Sequence, residues 1–473
     1  MKYLLYCIKY CHTSKMFILS IYFCTILNIL PKEVFAQKIA INFIEINGNK
    51  KTKDWVIMRD LYFKVGDSIE TSKIADIALY NTNQLLNLQL FNSVKINFMN
   101  DSCFIYLEEK WYIWPIPIIE IADRNFNQWW LTKDLGRLIY GIQFEKNNCR
   151  GRNENLLLFA TLGYTRVLDL RYTIPALKNY TNIGIFSSLQ LQSNNETWYK
   201  TMNNQVQFYD EPNSWSIKRN KFLFSVVKRK GNQQYQNVSL FVNRFKVADT
   251  ILSPSLNPYI LGDEKKVLNL AGIGYNFVLD HRDIREQPLH GNYFNIGFIM
   301  SYLSTGFKSN FIPQFNYRSS HFRQLANKFY ASTGLHLKSS LPNRQAYVLN
   351  RALGYEYNLM RGYDFYVVEG NHSAILKNNL KYGLLVNRKI NLPFMPFENY
   401  KVANNTLFLT IFSDLGYVRN QYVSADNTFA NTLLYSYGIG LEWNIWYTYL
   451  VRLELAQIHT GRSGIFLNFK MSI

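Results

Sequence analysis

The chain has 473 residues, is 48% hydrophobic and 16% aromatic, and holds 34 Tyr and 33 Phe but only 18% charged residues. Soluble domains average about 25% charged residues, and after residue 36 no apolar run reaches the ~18 residues a membrane helix needs. Helical membrane bundles are therefore excluded and alternating strands are not. The net charge of +19 suits anionic lipid or lipopolysaccharide better than nucleic acid, because no recognition helix or RNA-binding signature accompanies it.

Residues 1–36 read as an export signal. Lys2, Lys9 and Lys15 precede the apolar run Phe17–Leu30, and Val34–Phe35–Ala36 offers a small residue for cleavage before Gln37. Met16 is an alternative start. Without this segment, which holds four Lys and one Glu, the net charge becomes +16. Three cysteines (7, 11 and 24) leave with it. Cys103 and Cys149 remain in different units, and two free thiols is the favoured reading over a disulfide.

Residues 37–110 form a small α+β domain of order β-α-α-β-β. One strand spans Ile39–Asn47 and stops at Gly48–Asn49. Thr52 caps a short helix to about Arg59, and Thr71 or Ser72 starts a second one to about Leu88. Ile74, Ala78, Asn81, Leu85 and Leu88 share a face at helical spacing. Strands at Val94–Phe98 and at Phe104–Tyr106 or Ile105–Leu107 flank the turn Asn100–Asp101.

From Trp111 to residue 473 the period changes to two. Tyr435, Tyr437, Ile439, Leu441 and Trp443 oppose Ser436, Gly438, Gly440 and Glu442, and Val451, Leu453 and Leu455 oppose Arg452 and Glu454. A soluble sandwich would bury the same apolar faces. Wide aromatics on those faces, with charges opposite, favour a membrane barrel, apolar outside and polar inside. Sixteen segments can be counted: 115–123, 137–146, 154–162, 165–173, 182–193, 216–229, 235–247, 267–280, 291–301, 310–323, 329–338, 373–387, 406–415, 434–444, 449–456 and 465–473. Residues 203–210 fit a loop hairpin. The predicted fold is mainly β: one α+β domain, then a 16-stranded antiparallel transmembrane barrel whose loop 339–372 folds into the lumen.

The last segment places Ile465, Leu467, Phe469, Met471 and Ile473 on one face, similar to the C-terminal insertion signal of bacterial outer-membrane proteins, although Ile replaces the usual terminal aromatic. Leu90–Phe91–Asn92–Ser93–Val94 resembles the strand entry of a POTRA domain. Met360–Arg361–Gly362–Tyr363 resembles a signature of the sixth extracellular loop, and Phe412–Ser413–Asp414–Leu415–Gly416 resembles a lumen-facing F-x-D-x-G strand. Asp280–His281–Arg282–Asp283 with Pro288 and Gly291 resembles a periplasmic turn, and Tyr437 to Trp443 the strand that follows. Together and in this order they resemble the BamA/TamA/FhaC superfamily of outer-membrane assembly and secretion barrels, in a single-POTRA form.

That resemblance implies the roles. Arg361 in a narrow lumen calls for a planar carboxylate, and Asp414 is the partner it implies. Gly362 would allow close backbone approach, Tyr363 would cover the ion pair, and Asp364, Phe412 and Gly416 complete the latch. A lateral gate would lie where Pro115–Asp123 meets Ile465–Ile473, with Pro115 and Pro117 weakening the pairing. The implied function is insertion or folding of β-barrel proteins at the bacterial outer membrane, with clients docking on the periplasmic POTRA domain. A two-partner-type secretion pore is the alternative. Expected partners are unfolded outer-membrane or secreted clients, membrane lipid, and periplasmic chaperones or accessory lipoproteins. No cofactor, metal or catalytic residue is expected. The sequence lacks H-E-x-x-H, G-x-S-x-G, a phosphate loop and any Cys/His cluster, and Asp280, His281 and Asp283 read as a polar turn.

Overall fold

The computed structural model describes residues 38–122, 126–211, 214–231, 233–283, 287–304, 310–355, 358–391, 402–445 and 449–471. The expected export signal, Asp123 and Ile473 lie outside the described residues. The chain divides into two compact units, residues 1–50 with 57–110, and 51–56 with 111–473.

The first unit holds β1 (Lys38–Ala40), β2 (Phe43–Asn47), α1 (Asp54–Arg59), which begins in the neighbouring segment, β3 (Ser68–Glu70), α2 (Ile74–Asn87), β4 (Phe91–Met99) and β5 (Ser102–Glu109). The single strand expected at 39–47 is in fact two. β1 pairs with β3, whereas β2 runs parallel to β5, which pairs with β4. The break falls where Ile41 turns inward, 1% exposed, with its N–H on the Asp67 carbonyl while the Asn42 N–H goes to Asp101. Each backbone group finds a partner, but in different sheets. α2 buries Asn81 and Leu85. Asn81 earns its place by accepting from the Tyr62 N–H at 2.6 Å and donating to the Ile77 carbonyl at 2.7 Å, as a buried polar side chain must.

The second unit is built on one antiparallel sheet of sixteen strands. In chain order these are β6 (Ile113–Ile121), β7 (Leu138–Cys149), β8 (Glu154–Gly163), β9 (Thr165–Ile174), β10 (Ile183–Asn194), β13 (Ile217–Lys230), β14 (Gln234–Val247), β15 (Val267–Asp280), β16 (Gly291–Leu303), β17 (Phe311–Ala326), β18 (Phe329–Ser340), β21 (His372–Asn391), β22 (Val402–Arg419), β23 (Leu433–Ile445), β24 (Tyr449–Ile458) and β25 (Ser463–Met471). Each pairs with its sequence neighbour in the sheet. The hairpin β11 (Glu196–Met202) and β12 (Gln205–Asp210) stands apart and begins earlier than the 203–210 expected, and the short pair β19 (Arg351–Leu353) and β20 (Val368–Glu369) forms another separate two-stranded sheet. A helix, α3 (Phe126–Thr132), interrupts the β6–β7 connection.

Alternation gives the sheet two unlike faces. Along β22, Phe408, Thr410, Phe412 and Asp414 are buried, while Leu409, Ile411, Leu415 and Tyr417 are exposed. The same rhythm runs through β23, where Tyr437, Ile439 and Leu441 face out and Ser436 and Glu442 face in. So large an exposed apolar belt marks contact with something apolar. The inner face is polar and surrounds a cavity of about 350 Å³ lined by Lys377, Lys381, Glu442, Arg452, Glu454 and others. Inside it Lys381 pairs with Glu442 at 2.5 Å. Loops pack over one end of the sheet: residues 249–261 cluster with β14 and β15, and Val206 of β12 packs on Tyr355 and Val367. Both described cysteines, Cys103 and Cys149, are buried free thiols.

Candidate functional site

The loop 341–371 folds back against the inner face of β21 to β24 and brings Arg361 onto Asp414. The Arg361 Nε donates to Asp414 Oδ2 at 2.9 Å, and its backbone N–H reaches the same oxygen at 3.2 Å. A second guanidinium N–H goes to Asp414 Oδ1, a third to Asn379 Oδ1, and the Asn378 carbonyl accepts at 3.3 Å. This is the forked, two-oxygen geometry in which arginine binds carboxylate best. Asp414 is fully buried and Arg361 is 9% exposed, so the pair stands largely out of water and removal of either member strands the other.

The ring over the guanidinium belongs to Phe412, at 4.0 Å from its centroid, not to Tyr363. Tyr363 goes elsewhere because a buried hydroxyl needs a partner. Its O–H lies 3.1 Å from the Tyr435 carbonyl and 2.6 Å from His459 Nδ1, and its ring stacks on the His459 imidazole at 5.9 Å. Gly362 between them has φ +81°, and a Cβ there would lie 2.8 Å from Ile458 Cγ2 on β24. Only glycine meets both demands. A Cβ on Gly416 would come within 2.9 Å of the Met360 sulfur, so a second glycine, on the strand side, admits the loop. Beside the turn after β15, Arg282 grips Asp280 at 2.7 Å, and Asp283 accepts from the Leu289 N–H at 3.0 Å.

The second feature is the seam between the two edge strands. Among the described residues, no backbone ladder joins β6 to β25. The Asn147 N–H bonds the Tyr112 carbonyl, and the Ala122 N–H bonds the Arg137 carbonyl. With the regular β6–β7 register between them, even-numbered residues of β6 serve β7, and Ile113, Pro115, Pro117, Ile119 and Ile121 face the free edge. Both prolines therefore remove donors from the seam and none from the β7 ladder. On β25 the even-numbered residues serve β24, as the Ile458 N–H to Arg462 carbonyl bond shows. Ile465, Leu467, Phe469 and Met471 thus present their backbone groups to the seam, with Ile465 and Phe469 side chains 72% and 59% exposed.

A residue that sequence reasoning passed over completes the site. Asn127 of α3 accepts from the Leu467 N–H at 2.7 Å and donates to Asp364 Oδ1 at 3.1 Å. It is 8% exposed. Asp364 is thereby tied to the seam, while its neighbours Arg361 and Tyr363 are tied to the inner wall.

Residues 39–109 match the POTRA family, described as surface antigen variable number repeat. The chain is similar in fold to BamA from Haemophilus ducreyi lacking POTRA domains 1–3, with a TM-score of 0.58 and 12% identity over 92% of this chain and 84% of that one. CdiB from Escherichia coli gives 0.52 and 11%, over 91% and 76%, and CdiB from Acinetobacter baumannii gives 0.52 and 11%, over 91% and 73%. No curated protein matches the chain in sequence. The chain thus joins a segment that matches the POTRA family to a sixteen-stranded antiparallel sheet similar in fold to the BamA and CdiB structures.

Proposed function

We propose that this protein is an assembly factor of the bacterial outer membrane, which inserts β-barrel proteins through the seam between β6 and β25 while its POTRA domain faces the periplasm and receives clients. The observation that carries this reading is that, among the described residues, no backbone ladder joins β6 to β25. A sheet edge inside hydrocarbon leaves backbone groups without partners, which costs several kcal/mol per group. An edge kept open, with two donors already deleted from one side, suits a place where foreign strands enter. The apolar belt on the outer face supplies the lipid contact. Docking on the POTRA domain would use strand addition, which makes few demands on client sequence.

A secretion pore across the lumen is the second reading, since CdiB shares the fold. The loop latch and the packed loop clusters over one mouth favour the lateral route over it. The test is a cysteine scan between residues 116–119 of β6 and 465–469 of β25. Oxidation of a pair that cross-links should stop the assembly of other barrels in the same membrane. Normal assembly through a locked seam would refute the lateral route, and continued export of a soluble polypeptide through locked barrels would favour the pore.

A further inference from the structure

The exposed face of β9, β10, β13 and β14 carries cations beside an apolar belt, and the ladders set them in rows. Arg166, Ser193, Lys218 and Lys246 stand side by side across the four strands, and Leu168, Leu191, Asn220 and Arg244 form the next row. In the third row Leu170, Leu189, Phe222 and Val242 are all apolar and exposed. No carboxylate stands in any of these rows. Lys218 and Lys246 face each other directly, a pairing that like charges disfavour. Both ammonium groups are drawn over the Trp215 ring, at 4.4 and 5.2 Å from its centroid, where the indole face offsets part of their repulsion. A groove of about 620 Å³ runs from the charged row between Ile142, Ala160, Leu162, Leu168 and Leu191, with Arg166 and Lys218 at its polar end. Ala160 opens it, since this small side chain stands in register between Ile142 and Leu168. The cations lie at the end of the sheet where β8 turns into β9, β10 leads to β13 and β14 leads to β15. The chain enters β6 at the opposite end, just after the segment that matches the POTRA family.

We propose that this face binds a phosphorylated glycolipid of the outer leaflet, the diphosphorylated lipid A part of lipopolysaccharide, with its phosphates on the cations and an acyl chain in the groove. Charge complementarity selects an anion, and the groove selects one that carries a hydrocarbon chain. Arg166 stands two strand spacings, about 10 Å, from Lys218, with only the neutral Ser193 between them. Cations divided in this way suit two phosphates held apart by sugars better than two that share one glycerol. Arg166 can take a phosphate through parallel N–H donors, and the lysines act as point charges. Trp215 sits at the level where an indole meets lipid headgroups. The inference needs the outer-membrane placement proposed above, with the POTRA domain in the periplasm, and is independent of the seam.

The test follows lipid retained by the full chain in native mass spectrometry, with diphosphoryl lipid A as the probe and monophosphoryl lipid A and cardiolipin as comparisons. Folding of each variant is checked by heat-modifiable migration. The intact chain should retain the diphosphoryl form about tenfold more than either comparison, the ratio that one charge-assisted hydrogen bond is worth. Arg166→Gln, and separately Lys218→Gln with Lys246→Gln, should abolish that preference. Lys228→Gln with Lys230→Gln removes the same charge from the other end of β13 and should leave retention unchanged. Ala160→Phe keeps the cations but fills the groove, and should lower retention about fourfold, the ratio for one buried CH₂. An equal loss in the Lys228 and Lys230 variant would reduce the effect to net charge and overturn the site. Cardiolipin held as firmly as diphosphoryl lipid A would overturn the choice of headgroup, and full retention in Ala160→Phe would overturn the acyl groove. Ser255→Cys, exposed in the β14–β15 connection, should react with an impermeant maleimide on intact cells. No reaction there would put the cations in the inner leaflet and overturn an outer-leaflet ligand. The gate fails by a different result, assembly that continues through a cross-linked seam.

Discussion

At the residue scale the molecule turns on one ion pair and the glycine beside it. Arg361→Ala and Asp414→Ala should each destabilise the barrel by about 3–5 kcal/mol, because each leaves a buried charge unpaired. The double variant should cost about 1–3 kcal/mol less than the sum, since the two share one interaction. Urea unfolding in detergent, followed by tryptophan fluorescence, measures this, and strict additivity would mean that the pair contributes nothing jointly. Gly362→Ala should cost about 1–3 kcal/mol by the same assay, from a left-handed backbone that alanine resists and the contact with Ile458. In the first unit, burial pushes the Cys103 thiol up to about 12. The unfolded thiol ionises near 8.5 and so loses its proton first. This contribution to stability is therefore fully present below about pH 8 and is lost as pH rises toward the folded value, by at most about 1.4 kcal/mol per pH unit. Alkylation of Cys103 at pH 8, located by mass spectrometry, should be negligible until the unit unfolds. The Arg361 motif could be read in the sequence through the resemblance of Met360–Tyr363 and Phe412–Gly416, taken together and in order, to motifs of one superfamily, which implied Asp414 as the partner. Asn127 could not, since it meets partners 237 and 340 positions away and no local pattern separates it from any loop asparagine.

At the element scale, alternation made most strands legible, because one face meets apolar surroundings and the other a polar interior. The β23 run from Tyr435 to Trp443 shows it, with out-facing and in-facing residues alternating without a break. Alternation fails where a strand changes partners. Ile39 to Asn47 looks continuous in sequence, yet β1 and β2 serve different sheets because Ile41 must turn into the core. Strand ends also ran past their expected limits, as in β22, which continues to Arg419, since polar residues at a rim can extend a ladder without disturbing the apolar belt. The prolines of β6 allow a direct test. Pro115→Ala with Pro117→Ala returns two donors to the seam, each worth about 1 kcal/mol when bonded. Oxidative cross-linking of cysteines across the seam should become faster in this variant and client assembly slower. Cross-linking at the original rate would show that the missing donors do not govern the opening.

At the scale of the whole molecule, the latch loop and the loops packed around one mouth leave a small charged cavity where a channel could have been. Replacing residues 343–369 with a short Gly-Ser linker should therefore raise single-channel conductance in planar bilayers well above that of the intact chain. An intact chain that already conducts as freely as the shortened one would argue for a permanently open lumen. The proline-bearing edge has one more consequence, for the population of barrels and not for the single one. Two open barrels that met through their β6 edges would set carbonyl against carbonyl at Pro115 and Pro117, with no hydrogens to share. Such a contact cannot grow into a continuous sheet. On the proposed lateral route, a membrane crowded with half-open gates would in this way be kept from fusing them side to side.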